Sequence, residues 1–505
     1  MRRQLDRFTG KVTMYRMVLV WLAVTTAAAL LLSLAGQLAF NTADLLASAV
    51  VAVGSTVVTS WLFALLFRVR PHPESSLITG FLLFFLFYPS SAVDDLLSVA
   101  LAGTIASASK YLLAIRGRHI FNPAAIGAVV VSLLGLNFAV WWVATGVLLP
   151  FTAVGAFLIL YRSRRLPMGL VFVAIATTIV VVRLLGDGSG MDLGGALALA
   201  FTSFPIVFFV GFMLSEPLTL PPRRWQQLTV AAIVAVLFAL PSIHLGPLFS
   251  TPELALVLGN VVAFVFGQRR GIRLEFLGKR QLTPTAWELS FAPSRPVAFS
   301  AGQYLEVTVP HAKADFRGSR RIFSISSPPT ADGPLTVALS VPEKPSTFKR
   351  AFLELEPGAR VRATGVGGDF TLPRDTAAPI VLVAGGIGIT PFASQLAHDH
   401  ELGRTRDVVV VYAVRDNEEL GYSDLLARSG VPVVLVSPSL PDDLPATWTW
   451  AGSGRITGEL LESAVPALGS RHAFVSGPPG MVADIRSALR ARGVRRITAD
   501  YFSGY

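Results

Sequence analysis

The chain has 505 residues, with 43 Lys and Arg against 32 Asp and Glu, a formal net charge of +11 and no cysteine. Its length implies more than one domain, and the lack of cysteine excludes disulfides, thiolate zinc and the usual cysteine-ligated iron–sulfur clusters. The positive surplus is gathered in short stretches between apolar runs, a mark of membrane topology that gives no reason to invoke nucleic acid.

Apolar segments fill the first half, near 17–35, 45–67, 76–88, 94–115, 123–136, 139–160, 168–184, 195–214, 226–243 and 253–267. Several reach the roughly 20 residues that cross a hydrocarbon core of about 30 Å. With a cytoplasmic N-terminus, one set of connections carries Arg2, Arg3, Arg7, Lys11 and Arg16, then Arg68 and Arg70, then Lys110, Arg116 and Arg118. It continues with Arg162, Arg164 and Arg165, then Arg223 and Arg224, then Arg269, Arg270 and Arg273, whereas the opposite set holds only Arg183. Translocating positive charge is unfavourable, so this asymmetry predicts an even number of spans with both termini inside. The expectation is a polytopic α-helical bundle of about ten spans over 1–270, multi-pass in the plasma membrane. The first apolar run is long and lacks a small-residue cleavage pattern, so it is expected to remain as a span.

Three stretches in this half, "SSLITGFLLFFLFYP" (75–89), "KYLLAIRGRHIFNPAAIG" (110–127) and "GFMLSEPLTLPP" (211–222), resemble the flavin-bearing membrane proteins of the sodium-pumping NADH:quinone oxidoreductase and of the related Rnf complex. The resemblance covers most of 15–267 and implies ten spans in two inverted five-helix halves, an arrangement that often frames a binding site. In that family an S-G-x-T sequence carries FMN through a phosphoester to the threonine. The matching loop here, "LLGDGSGMDLGG", has Ser189, Gly190, Met191 and Asp192. With aspartate at the threonine position, the loop either cradles a noncovalent FMN or riboflavin, with Ser76, Thr79 and Asn122 as further contacts, or is a polar turn on the outer face. Charged and polar groups in spans are costly. Glu216 either binds a cation or relays a proton, or is an interfacial carboxylate paired with Arg223 or Arg224; His119 and Asn122 either meet a flavin or quinone or act as caps. Trp141 and Trp142 are expected as interfacial anchors.

After Gly271 the pattern turns to short alternating strands broken by Gly and Pro, which predicts a small antiparallel β-barrel over 271–376. Over 377–505, buried apolar strands alternate with helical stretches, as in an α/β parallel sheet. "RRIFSISSPP", "GGIGITP", "SGPPGM" and a terminal aromatic follow one another in the order of the ferredoxin–NADP reductase family of flavoenzymes, which this half resembles. The resemblance implies that Arg321 pairs with the FAD pyrophosphate, Phe323 packs on the flavin and Ser324 contacts its N5 edge. A guanidinium fork suits phosphate oxygens and an aromatic face suits a flavin. Ser346 and Thr347 are expected to open a helix whose N–H groups point at phosphate. Gly385, Gly386, Gly388, Thr390 and Pro391 form the strand-to-helix turn that lets a pyrophosphate approach the backbone. Gly477, Pro478 and Met481 belong to a nicotinamide-side loop that usually begins with cysteine and here begins with Ser476. Phe502 or Tyr505 covers the flavin face that nicotinamide must reach.

Together these readings predict a membrane-bound oxidoreductase that passes electrons from cytoplasmic NAD(P)H through FAD to a quinone, a second flavin or an outer-face redox partner, with membrane lipid around it and room for further subunits. A redox-driven sodium transporter is one alternative. A haem-bearing transmembrane reductase is another, although His72, His119 and His244 all fall in loops. Arg415 and Asp416 point in opposite directions on NADPH against NADH.

Overall fold

The computed structural model describes residues 13–68, 73–115, 118–188, 190–241, 244–245, 248–266, 271–311, 319–330 and 333–501. Ser189, Phe502 and Tyr505 lie outside the described residues, as do His72 and the basic residues Arg2, Arg3, Arg7, Lys11, Arg70, Arg116, Arg269 and Arg270. The chain divides into two units, Val12–Gln268 and Met1–Lys11 with Arg269–Tyr505.

Within the first unit three helices are long and apolar enough to cross a membrane, Met14–Leu34, Thr42–Leu66 and Leu166–Gly186. A fourth is added if Leu193–Thr202 and Ile206–Leu214, bent by 51°, count as one. The expected ten spans are corrected accordingly. Five other apolar helices, Pro73–Leu86, Pro123–Leu133, Leu149–Arg162, Arg224–Ala239 and Pro252–Val265, have only 10–17 residues. Val93–Leu112 has the length but carries Asp94, Asp95 and Lys110. An apolar count runs through positions where the helix stops. The segment 123–136 is helical only to Leu133, before Gly135 turns with φ 69°, and the segment 139–160 becomes helical only at Leu149, with Pro150 in its first turn.

The long helices bury their small residues and expose large apolar ones. Ala52, Thr56 and Ser60 face inward on Thr42–Leu66, while Val50, Val58 and Trp61 face out. Small residues let helix backbones approach closely. Gly211 shows how closely they approach, because a Cβ there would lie 2.6 Å from the Ala156 Cα. Gly211→Val is therefore expected to overpack this contact at a cost of at least about 1–3 kcal/mol. Thermal unfolding of the detergent-solubilised chain should show a lowered midpoint.

Two short hairpins, β1 (Ala114–Ile115) with β2 (Arg118–His119) and β3 (His244–Leu245) with β4 (Leu248–Phe249), join helices in this unit. Trp141 and Trp142 are not interfacial anchors, since each is only 4% exposed. Trp141 Nε1 donates to Glu253 Oε2 at 2.9 Å, and Trp142 Nε1 donates to the Phe84 carbonyl at 2.6 Å. Their polar handles are satisfied inside the protein, so their rings pack among Phe84, Phe85, Phe208 and Phe209.

The second unit opens with a six-stranded antiparallel sheet. Its strands are β5 (Gly271–Thr283), β6 (Ala286–Pro293), β7 (Tyr304–Thr308), β8 (Arg320–Ser324), β9 (Leu335–Ser340) and β10 (Arg360–Gly367), in the order β8-β7-β10-β5-β6-β9. Alternate residues such as Phe276, Phe291, Leu305 and Val307 turn inward to one core. The outer strands β8 and β9 meet at the Ile325–Val337 bridge, so the expected barrel is an antiparallel sheet whose edges touch at one place.

A parallel sheet follows, built from β11 (Ile380–Gly385), β12 (Val408–Ala413), β13 (Val433–Val436), β14 (Trp448–Trp450), β15 (His472–Gly477) and β16 (Ile497–Tyr501), in the order β14-β13-β12-β11-β15-β16. Both of its faces are covered, by cores around Leu382, Val410 and Phe392 on one side and Val383, Val475 and Ile485 on the other. That is why β11 and β12 read as unbroken apolar runs. The chain leaves β11 toward β12 on one flank and returns to β15 on the other, which makes the ends of β11 and β15 a topological switch point, where open α/β sheets bind ligands.

Candidate active site

At that switch point Gly385 ends β11, and Gly386–Ile389 form a 3-10 turn leading into the helix Thr390–Glu401. Gly386 has φ +54° and open space where a Cβ would stand, so backbone is presented outward without side-chain cover. Gly388 is confined instead. Its missing Cβ would lie 2.5 Å from the Ser476 carbonyl oxygen and 2.8 Å from the Gly477 Cα. The two strand ends therefore sit against each other, with Met481 filling the space beside Gly385. Thr390 donates to the Ile387 carbonyl at 2.7 Å and Pro391 lies in the first turn of its helix, so both shape the turn from within. Pro478 is the residue before the helix Pro479–Ala491. Ser476 is fully buried, and its hydroxyl has no hydrogen-bond partner among the described residues. A buried polar atom left so is unusual and fits a ligand group arriving between the two turns.

The second half of the site lies on the antiparallel sheet. On β8, Arg321 and Phe323 share the inner face, 8% exposed each, while Ser324 is 3% exposed. The Arg321 guanidinium lies 5.0 Å from the centre of the Phe348 ring and donates to the Arg320 carbonyl at 2.7 Å. Phe348 belongs to the helix Thr347–Leu353, capped by Ser346, whose hydroxyl accepts from the Lys349 N–H at 3.3 Å. Arg321 and the first turn of this helix thus converge, a donor set suited to a pyrophosphate. Phe323 stacks on Phe352 and Phe348 at 5.2 and 5.9 Å, so its ring is held by the core with little left for a flavin face.

Two neighbours escaped the sequence reading. Tyr304 pairs with Ser324 across β7–β8, and its ring lies against Gly367 and Gly368. His311 bridges the Val309 carbonyl at 2.8 Å and the Thr347 hydroxyl at 3.1 Å. Beyond β12, Arg415 and Asp416 are both exposed, and the Asp416 carboxylate accepts from the Glu418 N–H at 3.1 Å.

The family described as the oxidoreductase NAD-binding domain matches residues 382–487. Ferredoxin–NADP reductase B of Sorangium cellulosum is 31% identical over 230 residues, which cover 43% of this chain and 91% of that protein. The chain belongs to the ferredoxin–NADP reductase family. The aromatic O-demethylase reductase subunit of an Amycolatopsis species is 32% identical over 223 residues, and the propane 2-monooxygenase reductase component of Rhodococcus jostii is 28% identical over 222. Each of these matches covers 42% of this chain, which spans 63% and 58% of the two relatives' lengths. The C-terminal half is accordingly an NAD(P)H-dependent FAD oxidoreductase module. In this reductase half the residues fit the two groups: Arg321 with the Ser346–Thr347 turn for the FAD pyrophosphate, and the Gly386–Gly388 turn with Ser476 for the nicotinamide nucleotide.

In the other unit, all three stretches singled out in the sequence meet at one pocket, lined among others by Thr79, Asn122, Phe212, Ser215 and Glu216. Glu216 is not paired with Arg223 or Arg224. Its Oε1 is 2.9 Å from His119 Nε2, and its Oε2 accepts from Asn122 Nδ2 at 2.9 Å. The Asn122 backbone N–H donates to Asn260 Oδ1 at 2.7 Å, and its side chain caps the helix Pro123–Leu133. Lys110 donates to the Ser75 carbonyl at 3.0 Å, and Arg165 donates to the Ser215 carbonyl. The space measures about 40 Å³, well below the roughly 300–1,000 Å³ of pockets that enclose drug-sized ligands. Of the residues expected at a second flavin, Thr79 and Asn122 line it, whereas Ser76, Gly190 and Asp192 do not. Asp192 caps the helix Leu193–Thr202, its Oδ1 accepting from the Gly195 N–H at 2.7 Å.

Proposed function

We propose that the chain is a membrane-bound NAD(P)H-dependent flavin oxidoreductase whose membrane unit, Val12–Gln268, delivers electrons to an acceptor, most simply a quinone. The convergence of Ser75–Pro89, Lys110–Gly127 and Gly211–Pro222 on one polar-centred pocket carries this reading. Three long apolar helices and the one-sided arginines support membrane placement with both termini cytoplasmic. The same three stretches resemble the membrane proteins of the sodium-pumping oxidoreductase and the Rnf complex, which favours the same reading.

Bound FAD supplies the exchange between a two-electron donor and the acceptor. The protein's part is placement. The Gly386–Gly388 turn holds nicotinamide nucleotide at the end of β11, and the Ser476 hydroxyl offers it a hydrogen bond. Arg321 and the capped helix at Ser346 neutralise the flavin nucleotide's phosphates, and Ser324 stands at the flavin edge. In the membrane pocket, Asn122 gives one Nδ2 hydrogen to Glu216 and offers the other to an acceptor oxygen, within apolar walls from Val18, Leu82 and Phe212. A flavin held there is the second reading, favoured by Thr79 and Asn122 lining the same space; a quinone ring and a flavin alike require the walls to part.

The test is Asn122→Leu in the full chain. Quinone reduction by NAD(P)H is expected to fall about tenfold or more, as for loss of one hydrogen bond to a buried charged or polar partner. Ferricyanide reduction, which takes electrons directly from the flavin module, should be unchanged. Equal quinone rates in wild type and variant would contradict the acceptor assignment.

A further inference from the structure

Glu288 lies on β6, in the flavin-side sheet, and is 8% exposed. Such a carboxylate is buried only at a cost unless hydrogen-bonded. It has three donors from three places. The Arg280 guanidinium on β5 donates to Oε2 at 2.6 Å, while Oε1 accepts from Ser326 Oγ at 2.9 Å and from Tyr422 Oη at 2.8 Å. Since the Ser326 proton goes to Glu288, the 2.6 Å contact between Ser326 and Thr336 is one in which Thr336 donates.

Each donor matters for where it sits. Ser326 is two residues beyond Ser324, on the segment that runs from the flavin edge toward the parallel sheet. That segment is gripped again one residue later, where the Ser327 carbonyl accepts from Ser394 Oγ in the helix Thr390–Glu401 at 2.7 Å. Tyr422 belongs to the loop after β12, six residues past Asp416, at the expected adenosine end of the nucleotide site. It holds a left-handed backbone, φ 61°, unusual for so bulky a residue and a sign that its surroundings fix it. The same loop is pinned by Glu419, whose carboxylate accepts from the Thr283 and Thr285 hydroxyls at 2.7 Å each. Burial, then the charge of Glu288, raises the Tyr422 phenol well above its ordinary pKa, so it stays a donor.

We propose that Glu288 is a positioning residue that couples the nucleotide-side loop 416–422 to the Ser324-bearing strand, so that nucleotide binding is felt at the flavin edge. This rests on the reading of the C-terminal half as an NAD(P)H-dependent FAD module. Without the carboxylate, the loop and the strand keep their own ladders and lose a group to which Ser326 and Tyr422 both donate.

The test uses the full detergent-solubilised chain and two variants, Glu288→Gln and Tyr422→Phe. Hydrogen–deuterium exchange is followed with and without NAD+ and NADP+ in turn, alongside anaerobic flavin reduction by NADH and NADPH. In wild type, the effective nucleotide should slow exchange at 416–422 and also at 325–327. In both variants protection should be confined to 416–422, with flavin reduction slowed about tenfold and FAD content and reoxidation by ferricyanide unchanged. Protection that still reaches 325–327 in both variants overturns the coupling. So does equal slowing of reduction and reoxidation together with loss of FAD, the result of a purely structural role. A wild-type chain that neither nucleotide reduces contradicts the functional reading instead, so the two failures are distinguishable.

Discussion

Gly388→Ala is expected to abolish most NAD(P)H oxidation while leaving FAD bound. The added Cβ would lie 2.5 Å from the Ser476 carbonyl oxygen, 2.7 Å from its carbon and 2.8 Å from the Gly477 Cα. All three are backbone atoms at the end of β15, which is hydrogen-bonded between β11 and β16 and cannot retreat. The turn must move instead, carrying Gly386 and the start of the helix Thr390–Glu401 away from the nucleotide. Overpacking of this kind costs about 1–3 kcal/mol, so a fall of roughly tenfold to a hundredfold in kcat/KM for NAD(P)H is the expected size. The flavin-side core around Phe291 and Phe352 does not include this turn. FAD content measured on the purified variant should match wild type.

Arg321→Ala is expected to act on the other cofactor. Arg321 is 8% exposed, and its guanidinium lies over Phe348 in the helix capped by Ser346. Its removal takes away a charge-assisted donor from a pyrophosphate and a stacking surface from the helix. Hydrogen bonds to charged groups are worth about 1.5–3 kcal/mol, so FAD affinity should drop roughly tenfold to a hundredfold. Arg321→Lys keeps the charge and loses the planar fork, and should fall between the two. Equilibrium titration of the stripped protein with FAD measures this; retention of full FAD affinity by Arg321→Ala would remove Arg321 from the phosphate site.

The parts of the site legible in the sequence are those whose chemistry is local. A glycine turn between an apolar strand and a helix, the Arg321–Ser324 run and the Ser476–Met481 loop each state their geometry within a few residues. Glu288, Tyr422 and Glu419 are invisible in the sequence because the contacts that join the sheet to the loop span 134 to 136 residues and each looks like an ordinary strand or loop residue. Glu216 misled for a related reason: nearby arginines suggested a pair, whereas its partners come from His119 and Asn122, 97 and 94 positions away. Trp141 and Trp142 carried an interfacial signature, but the chain turns inward there, with Trp141 at φ 55°. Asp192 is legible in the sequence as a helix cap, since an Asp whose carboxylate accepts from the backbone N–H three residues later, at the start of an apolar run, is the usual pattern. The span count failed because hydropathy windows sum apolar residues and do not see where a helix is interrupted.

The proposed passage of electrons from NAD(P)H through the reductase half to an acceptor at the Val12–Gln268 unit is tested in a single experiment. The full chain in lipid nanodiscs is mixed anaerobically with NADH or NADPH and then with a membrane quinone, following the flavin absorbance throughout. Nucleotide should bleach the flavin and quinone should restore it, with the recovery slowed by Asn122→Leu and the bleaching unchanged. Bleaching followed by recovery at the same rate in wild type and variant would contradict delivery through the membrane pocket, and a flavin that nucleotide does not bleach would contradict the reductase assignment itself.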